Sequence, residues 1–125
     1  MRASILKQGH ILIASVQGSM SDADLTQLRE QLLHGVRRHR STGVIVDVTL
    51  IDVMDSFAAR TLRGISQVVK LLGAQVVIVG IQPDVAFAMV QLGLTLEGTT
   101  TALDLEDGLA VLQEQLAEGP AADGQ

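Results

Sequence analysis

The sequence contains no cysteine, no tryptophan and no tyrosine, and its only aromatic side chains are Phe57 and Phe87. The absence of cysteine excludes disulfide frameworks, thiol catalysis and cysteine-ligated metal centres. The scarcity of aromatic rings disfavours a ligand site built on stacking. Together with a net charge of −5, it also argues against nucleic-acid binding, which needs clustered cations and stacking platforms.

Long apolar runs are absent as well. No run approaches the roughly 18 residues of a membrane span, and the short apolar stretch from Ile11 to Val16 alternates like a strand rather than a signal peptide. We therefore expect a cytoplasmic protein without a membrane partner. A chain of 125 residues, 47% hydrophobic and 18% charged, suits a single domain, which we place at residues 1–117, followed by a flexible tail at 118–125.

Charge is divided unevenly along the chain. Residues 1–70 contain nine cations and six acids, a sum of +3, whereas residues 71–125 contain eight acids and no Lys or Arg, a sum of −8. One interpretation is that such a division arises by chance in a small protein. Alternatively, the surface is dipolar and orients the domain against a partner or a copy of itself.

Two kinds of hydrophobic pattern alternate in the sequence. Residues 5–17 indicate one or two strands broken near Gly9, and the β-branched runs at 44–48 and 76–79 indicate strands. The uninterrupted run at 76–79 is typical of a strand buried on both faces. Helical segments separate these strands, so the order predicts an α/β layer with a partly parallel sheet.

Four segments show helical spacing or helix-start signals. Ser21 with Asp24 predicts a capping pair, Asp55 predicts a second helix start, Pro83 a third, and the last helix is expected from about Thr101 or Asp104. The expected helix stops are Gly43, Gly73 and Gly93. The third helix is apolar all round from Val85 to Val90. The other helices are expected to bury Leu25, Leu28, Leu32 and Val36; Ala58, Leu62, Ile65, Val69 and Leu72; and Leu105, Leu109, Leu112 and Leu116.

Common enzyme signatures are missing. The sequence has no phosphate-binding loop, dinucleotide fingerprint, nucleophile elbow or zinc-protease motif, and its three histidines lack ligand spacing. A phospho-accepting receiver built on Asp47, Asp52 and Asp55 is disfavoured, because no cation follows Lys70 to hold a phosphoryl group and the first of these carboxylates sits inside a strand. We therefore expect a protein that is not an enzyme and takes no metal or cofactor.

Asp55 and Ser56 form the one candidate site. As an N-cap, Asp55 would place Ser56 at the first helical position with its hydroxyl facing solvent. The helix N-terminus tolerates an added phosphate there, Asp52 and Asp55 would repel it, and Arg60, one turn further on, would partly compensate. On the residues alone, an ordinary helix cap is the simpler interpretation, and a modification site stays open as the alternative.

Two longer stretches carry a family resemblance. The sequence VIVDVTLIDVMDSFAARTL (44–62) resembles the core of the STAS domain, the family of anti-sigma-factor antagonists. The segment 70–109, with GIQP at 80–83 and TALDLE at 101–106, resembles the RsbS type, the small scaffold proteins of bacterial stressosomes. The resemblance implies the α/β STAS fold, with a mixed four- to five-stranded sheet flanked by about four helices.

The resemblance also implies a function without catalysis or a cofactor. Ser56 would be the phosphoacceptor with Asp55 as its neighbour, and Asp52, Arg60 and Arg63 are candidate partner contacts. The protein would co-assemble with larger STAS sensor paralogues as a homo- or hetero-oligomer and hold a serine/threonine switch kinase. That kinase would phosphorylate the serine with ATP and leave to activate a stress-signalling output, and a separate phosphatase would reset the site.

Two other functions on the same fold stay open. One is a simple anti-sigma-factor antagonist that binds an anti-sigma kinase one-to-one. The other is an enzyme or a small-ligand sensor. A persistent small monomer would favour the antagonist, and turnover or a tightly bound small molecule would favour the enzyme or sensor.

Overall fold

A computed structural model describes residues 2–18, 20–96 and 98–117. Across these residues it has five strands and four helices, which confirms the expected fold class. The strands are β1 (Arg2–Gln8), β2 (Ile11–Gln17), β3 (Gly43–Leu50), β4 (Gln75–Val79) and β5 (Thr100–Ala102). The helices are α1 (Asp22–His39), α2 (Ser56–Leu71), α3 (Pro83–Gln91) and α4 (Leu105–Ala117). The tail expected at 118–125 lies outside the described residues.

The five strands form one sheet in the order β1-β2-β3-β4-β5. Strands β1 and β2 form an antiparallel hairpin that turns at Gly9, with φ +62°, and the remaining neighbours pair in parallel. The carboxyl ends of β2 to β5 therefore lie at one edge of the sheet, which we call the carboxyl edge. Connections that leave this edge are the usual place for a functional site in such folds.

Helices cover both faces of the sheet, and two apolar clusters result. The larger cluster joins buried residues of α1, α2 and α3 to β2, β3 and β4. On the other face, Leu112 of α4 packs with Ile45 of β3 and Val77 of β4. Because the central strands are covered on both sides, Val76 to Val79 are fully buried, as the uninterrupted apolar run predicts.

The predicted stop of the first helix at Gly43 is wrong. Helix α1 ends at His39, and Arg40 adopts the left-handed conformation (φ 51°, ψ 47°) while its N–H donates to the Val36 carbonyl. Gly43 instead opens β3 beneath α4, where a Cβ would lie 2.6 Å from Leu112 Cδ2. Close packing of α4 explains this glycine. The stops at Gly73 and Gly93 are confirmed by positive φ angles of +98° and +70°.

Several expected core positions are also corrected. Leu72 is 44% exposed and Leu116 is 38% exposed, and both lie at the C-terminal ends of their helices. In α3 only Val85 and Met89 are buried, so its apolar sequence does not mean burial all round. Helix α4 does not reach back to Thr101, because Thr100–Ala102 pair with β4.

Candidate functional site

The connection between β3 and α2 is fixed by two buried side chains. Ile51 and Met54 are 3% and 5% exposed, and the Ile51 N–H donates to the Val48 carbonyl at 3.0 Å. The intervening Asp52 and Val53 therefore face outward, and both are exposed. Because Ile51 and Met54 are buried on either side of them, Asp52 and Val53 are held facing outward at the carboxyl edge.

Asp55 caps α2 as the sequence predicts. Its backbone is extended (φ −87°, ψ 179°), and its Oδ1 accepts a hydrogen bond from the Ala58 N–H at 2.8 Å. Ser56 is the first residue of the helix and is exposed. The Asp55 side chain is engaged in its hydrogen bond to the helix backbone. The next residue, Ser56, therefore lies at the helix N-terminus and is exposed to solvent.

Two carboxylates lie close to Ser56 in sequence. Asp52 and Asp55 line a cleft of about 320 Å³ together with Gly18, Met20, Val53 and Ala58. The Gly18 N–H donates to the Leu50 carbonyl at 3.3 Å, which ties the end of β2 to this loop. A phosphate on the serine would be favoured by the helix dipole and opposed by these carboxylates.

The two arginines singled out in the sequence have different surroundings. Arg60 follows Ser56 by one turn, is exposed, and lines a groove between α1 and α2. Arg63 is half-buried and its Nη1 donates to the Thr95 carbonyl at 3.4 Å. Arg63 therefore braces the chain after α3, and Arg60 is the better placed of the two to meet a partner or a phosphate.

Sequence reasoning missed a polar network at the carboxyl edge. Asp47 Oδ1 accepts hydrogen bonds from the N–H and hydroxyl of Thr49, at 2.9 and 2.6 Å. Gln82 Nε2 donates to the Thr49 carbonyl. The network fastens the end of β3 to the start of α3. The GIQP sequence at 80–83 is the available signal, since it contains Gln82, but it does not indicate Thr49 as the partner.

The arrangement places an exposed serine beside two carboxylates at the start of α2. In residues 2–18, 20–96 and 98–117, no three histidine or carboxylate side chains form a group able to hold a metal ion. No helix in the described part of the chain is long and apolar enough to cross a bilayer.

The mixed five-stranded sheet with four helices is the fold of a STAS domain. The family model described as "STAS domain" matches residues 2–108, so the chain belongs to the STAS domain family. The family resemblance drawn from the sequence is confirmed.

Two solved structures are similar to this chain over almost their whole length. An RsbS from Moorella thermoacetica carrying a serine-to-glutamate substitution is 34% identical, with a TM-score of 0.79 over 94% of this chain and 99% of its own. A chain from a structure of the stressosome, which is described as a signal integration and transduction hub, is 35% identical. Its TM-score is 0.74 over 91% of this chain and 98% of its own.

A curated relative extends the similarity to a longer protein. The RsbT co-antagonist protein RsbRA of Bacillus subtilis is 31% identical over 105 residues, which cover 84% of this chain but 38% of the relative. The chain therefore spans less than two fifths of that relative, and the similarity concerns its STAS part.

Proposed function

We propose that the protein is a non-catalytic stressosome scaffold that holds a serine/threonine switch kinase and releases it when Ser56 is phosphorylated. The observation that carries this proposal is the exposed Ser56 hydroxyl at the N-terminus of α2, with Asp55 occupied as the cap. The near full-length similarity to an RsbS supports the scaffold class. The partners would be the kinase, larger STAS sensor paralogues and a resetting phosphatase.

The proposed switch is electrostatic. The kinase transfers the γ-phosphoryl group of ATP to Ser56 Oγ, the hydroxyl loses its proton and ADP leaves. The product adds about −1.5 to −2 charges at pH 7 beside Asp52 and Asp55. The same edge exposes Leu50 and Val53, which are 58% and 78% accessible. A kinase that covers these apolar side chains would have to bury the new charge, so its affinity would fall.

The test is phosphorylation by the cognate kinase, with the phosphate mapped by mass spectrometry. We expect label on Ser56 in the wild type and in the control Ser15→Ala, which removes another exposed serine, and none in Ser56→Ala. Label that persists in Ser56→Ala would refute the site. Ser56→Asp should weaken kinase retention and leave the melting temperature within a few degrees, because the side chain lies outside the core.

Size measurements separate the scaffold from the simple antagonist. A scaffold self-associates or co-assembles with a sensor paralogue in size-exclusion chromatography. A small monomer that pairs one-to-one with an anti-sigma kinase would replace the proposed function with the alternative.

A further inference from the structure

Helix α2 carries a second row of side chains beside the row that it buries in the core, and of this second row Phe57 packs partly against the core. The core row consists of Ala58, Leu62, Ile65 and Val69, all buried. The second row follows the same helical spacing and consists of Phe57, Thr61, Gly64, Val68 and Leu71. Exposure rises along this second row, to 39% at Val68 and 87% at Leu71. Apolar side chains that stay exposed at helical spacing, as Val68 and Leu71 do, are typical of a surface covered by another chain.

The second row forms one wall of a groove between α1 and α2. The groove has a volume of about 360 Å³ and is lined by Phe57, Gly64 and Val68, with Arg29 of α1 and Arg60 of α2. Both arginines are exposed. Arg29 lies 3.5 Å from Glu30, whereas none of the contacts resolved in the described residues pairs Arg60 with a carboxylate. The groove therefore combines an apolar wall with positive charge.

Gly64 gives this groove a notch that packing within the chain does not explain. Glycine is a poor helix former because it costs more backbone entropy than alanine. A Cβ at Gly64 would meet no atom within 4 Å, whereas a Cβ at Gly35, the glycine of α1, would lie 2.8 Å from Leu12 Cδ1. Gly35 is therefore required by the close approach of Leu12, whereas no contact within the chain requires Gly64. The open space at Gly64 could hold a side chain of another molecule.

Helix α3 presents a surface of complementary character. Phe87, Val90 and Leu92, on α3 and at its end, are 65%, 77% and 68% exposed. The helix contains no cation, and Asp84 lies exposed in its first turn. This surface is apolar with negative charge, and its phenylalanine is its one aromatic side chain.

We propose that α3 of one copy docks into the α1–α2 groove of a second copy, with Phe87 seated at the Gly64 notch. Each surface includes exposed apolar side chains, and each has the charge that the other lacks, with Asp84 available to Arg29 or Arg60. Different surfaces meet, so the contact is heterologous and can build a ring or a larger shell. The inference deepens the scaffold part of the proposed function and rests on it, but it does not involve the kinase.

The test uses one variant on each surface. Gly64→Leu fills the notch and Phe87→Ser removes the apolar anchor, and analytical ultracentrifugation measures self-association of the purified full chain. Each variant alone should associate about tenfold or more weakly than the wild type. Phe87 is exposed and a Cβ at Gly64 meets no atom within 4 Å, so both variants should melt at or near the wild-type temperature. The control Leu103→Ser removes an 80% exposed leucine from neither surface and should associate like the wild type.

Mixing the two variants gives the sharper result. Gly64→Leu keeps its α3 surface and Phe87→Ser keeps its groove, so a heterologous contact predicts a one-to-one dimer from two monomers. A mixture that stays monomeric, a wild type that stays monomeric, or variants that associate like the wild type would each overturn the inference. Kinase labelling of Ser56 is measured separately. If the wild type is labelled but monomeric, the docking inference fails and the phosphorylation part of the proposed function stands. If it assembles but is not labelled, the docking inference stands and the phosphorylation part fails.

Discussion

Gly80 is the position at which a single methyl group should disturb the carboxyl edge most directly. It follows β4 with φ +82°, and a Cβ built there would overlap the Thr49 hydroxyl and lie 3.1 Å from Asp47 Oδ1. The hydroxyl cannot move freely, because it donates to the Asp47 carboxylate at 2.6 Å. Gly80→Ala therefore both strains the backbone and displaces the Thr49 hydroxyl from its hydrogen bond.

The cost of Gly80→Ala has two parts. Holding an L-residue in the left-handed region costs about 1–2 kcal/mol. Displacing the Thr49 hydroxyl costs roughly a further 1–2 kcal/mol, as expected for a lost hydrogen bond to a charged acceptor at a partly exposed site. The total of about 2–4 kcal/mol corresponds to a fall in melting temperature of roughly 10 °C for a domain of this size.

Thermal and denaturant unfolding of three further variants separates these two parts. Gly93→Ala is the matched control, because its φ is +70° and its Cβ would meet nothing within 4 Å, so it should lose only about 1–2 kcal/mol. In a Thr49→Ala background the hydroxyl is gone and only contacts at 3.1 Å, to the Cβ of residue 49 and to Asp47 Oδ1, remain. Gly80→Ala should therefore cost about 1–2 kcal/mol less there than in the wild type, which is the coupling energy between the two positions. Equal costs of Gly80→Ala in the two backgrounds would refute the proposed overlap, and no cost at all would refute the strained backbone.

Two predictions concern the helix caps. Asp55→Ala should lower the free energy of unfolding by about 1 kcal/mol, because it removes the hydrogen bond to the Ala58 N–H, whereas Asp55→Asn should stay within a few tenths of the wild type; equal effects in thermal unfolding would contradict the cap. At α1, backbone and side-chain hydrogen bonds from Ser21 lower the pKa of Asp24 below its ordinary 3.8. The stabilisation is therefore present above that value and is lost as the pH falls through the folded-state pKa. The difference in unfolding free energy between the wild type and Asp24→Asn should shrink as the pH falls below about 5, and a constant difference would contradict the assignment.

Local features of the fold were predictable because each depends on a few consecutive residues. The Ser21–Asp24 capping box and the Asp55 cap need only one helical turn of sequence, and the buried strand at 76–79 follows from its β-branched run. The exposure of Ser56 followed from its place after the cap. These predictions hold because tertiary packing agrees with the local preference at each position.

Features that join distant segments were not predictable from spacing. Gln82 and Thr49 are 33 residues apart, and nothing in either segment indicates the other. The sequence around Gly43 resembles a helix stop, but a glycine is needed there because Leu112, far along the chain in α4, packs against it. In the same way, apolar spacing identified α3 without showing that Phe87 and Val90 face outward, because the sequence does not say which apolar row meets the sheet.

The position of Ser56 decides how a charge placed there can act. On its inner face, α2 packs against the core through a buried row that ends at Val69, which is 0% exposed. Ser56 lies at the start of the helix and is exposed to solvent. A phosphate therefore touches no core side chain whose displacement could propagate through the fold, and the cap hydrogen bond of Asp55 lies on the backbone side. Because cores are close-packed and do not deform gradually, the added charge has to be sensed by whatever covers the outward loop of Asp52 and Val53. For this reason we expect phosphorylation to change which partner stays bound while the domain itself keeps its shape.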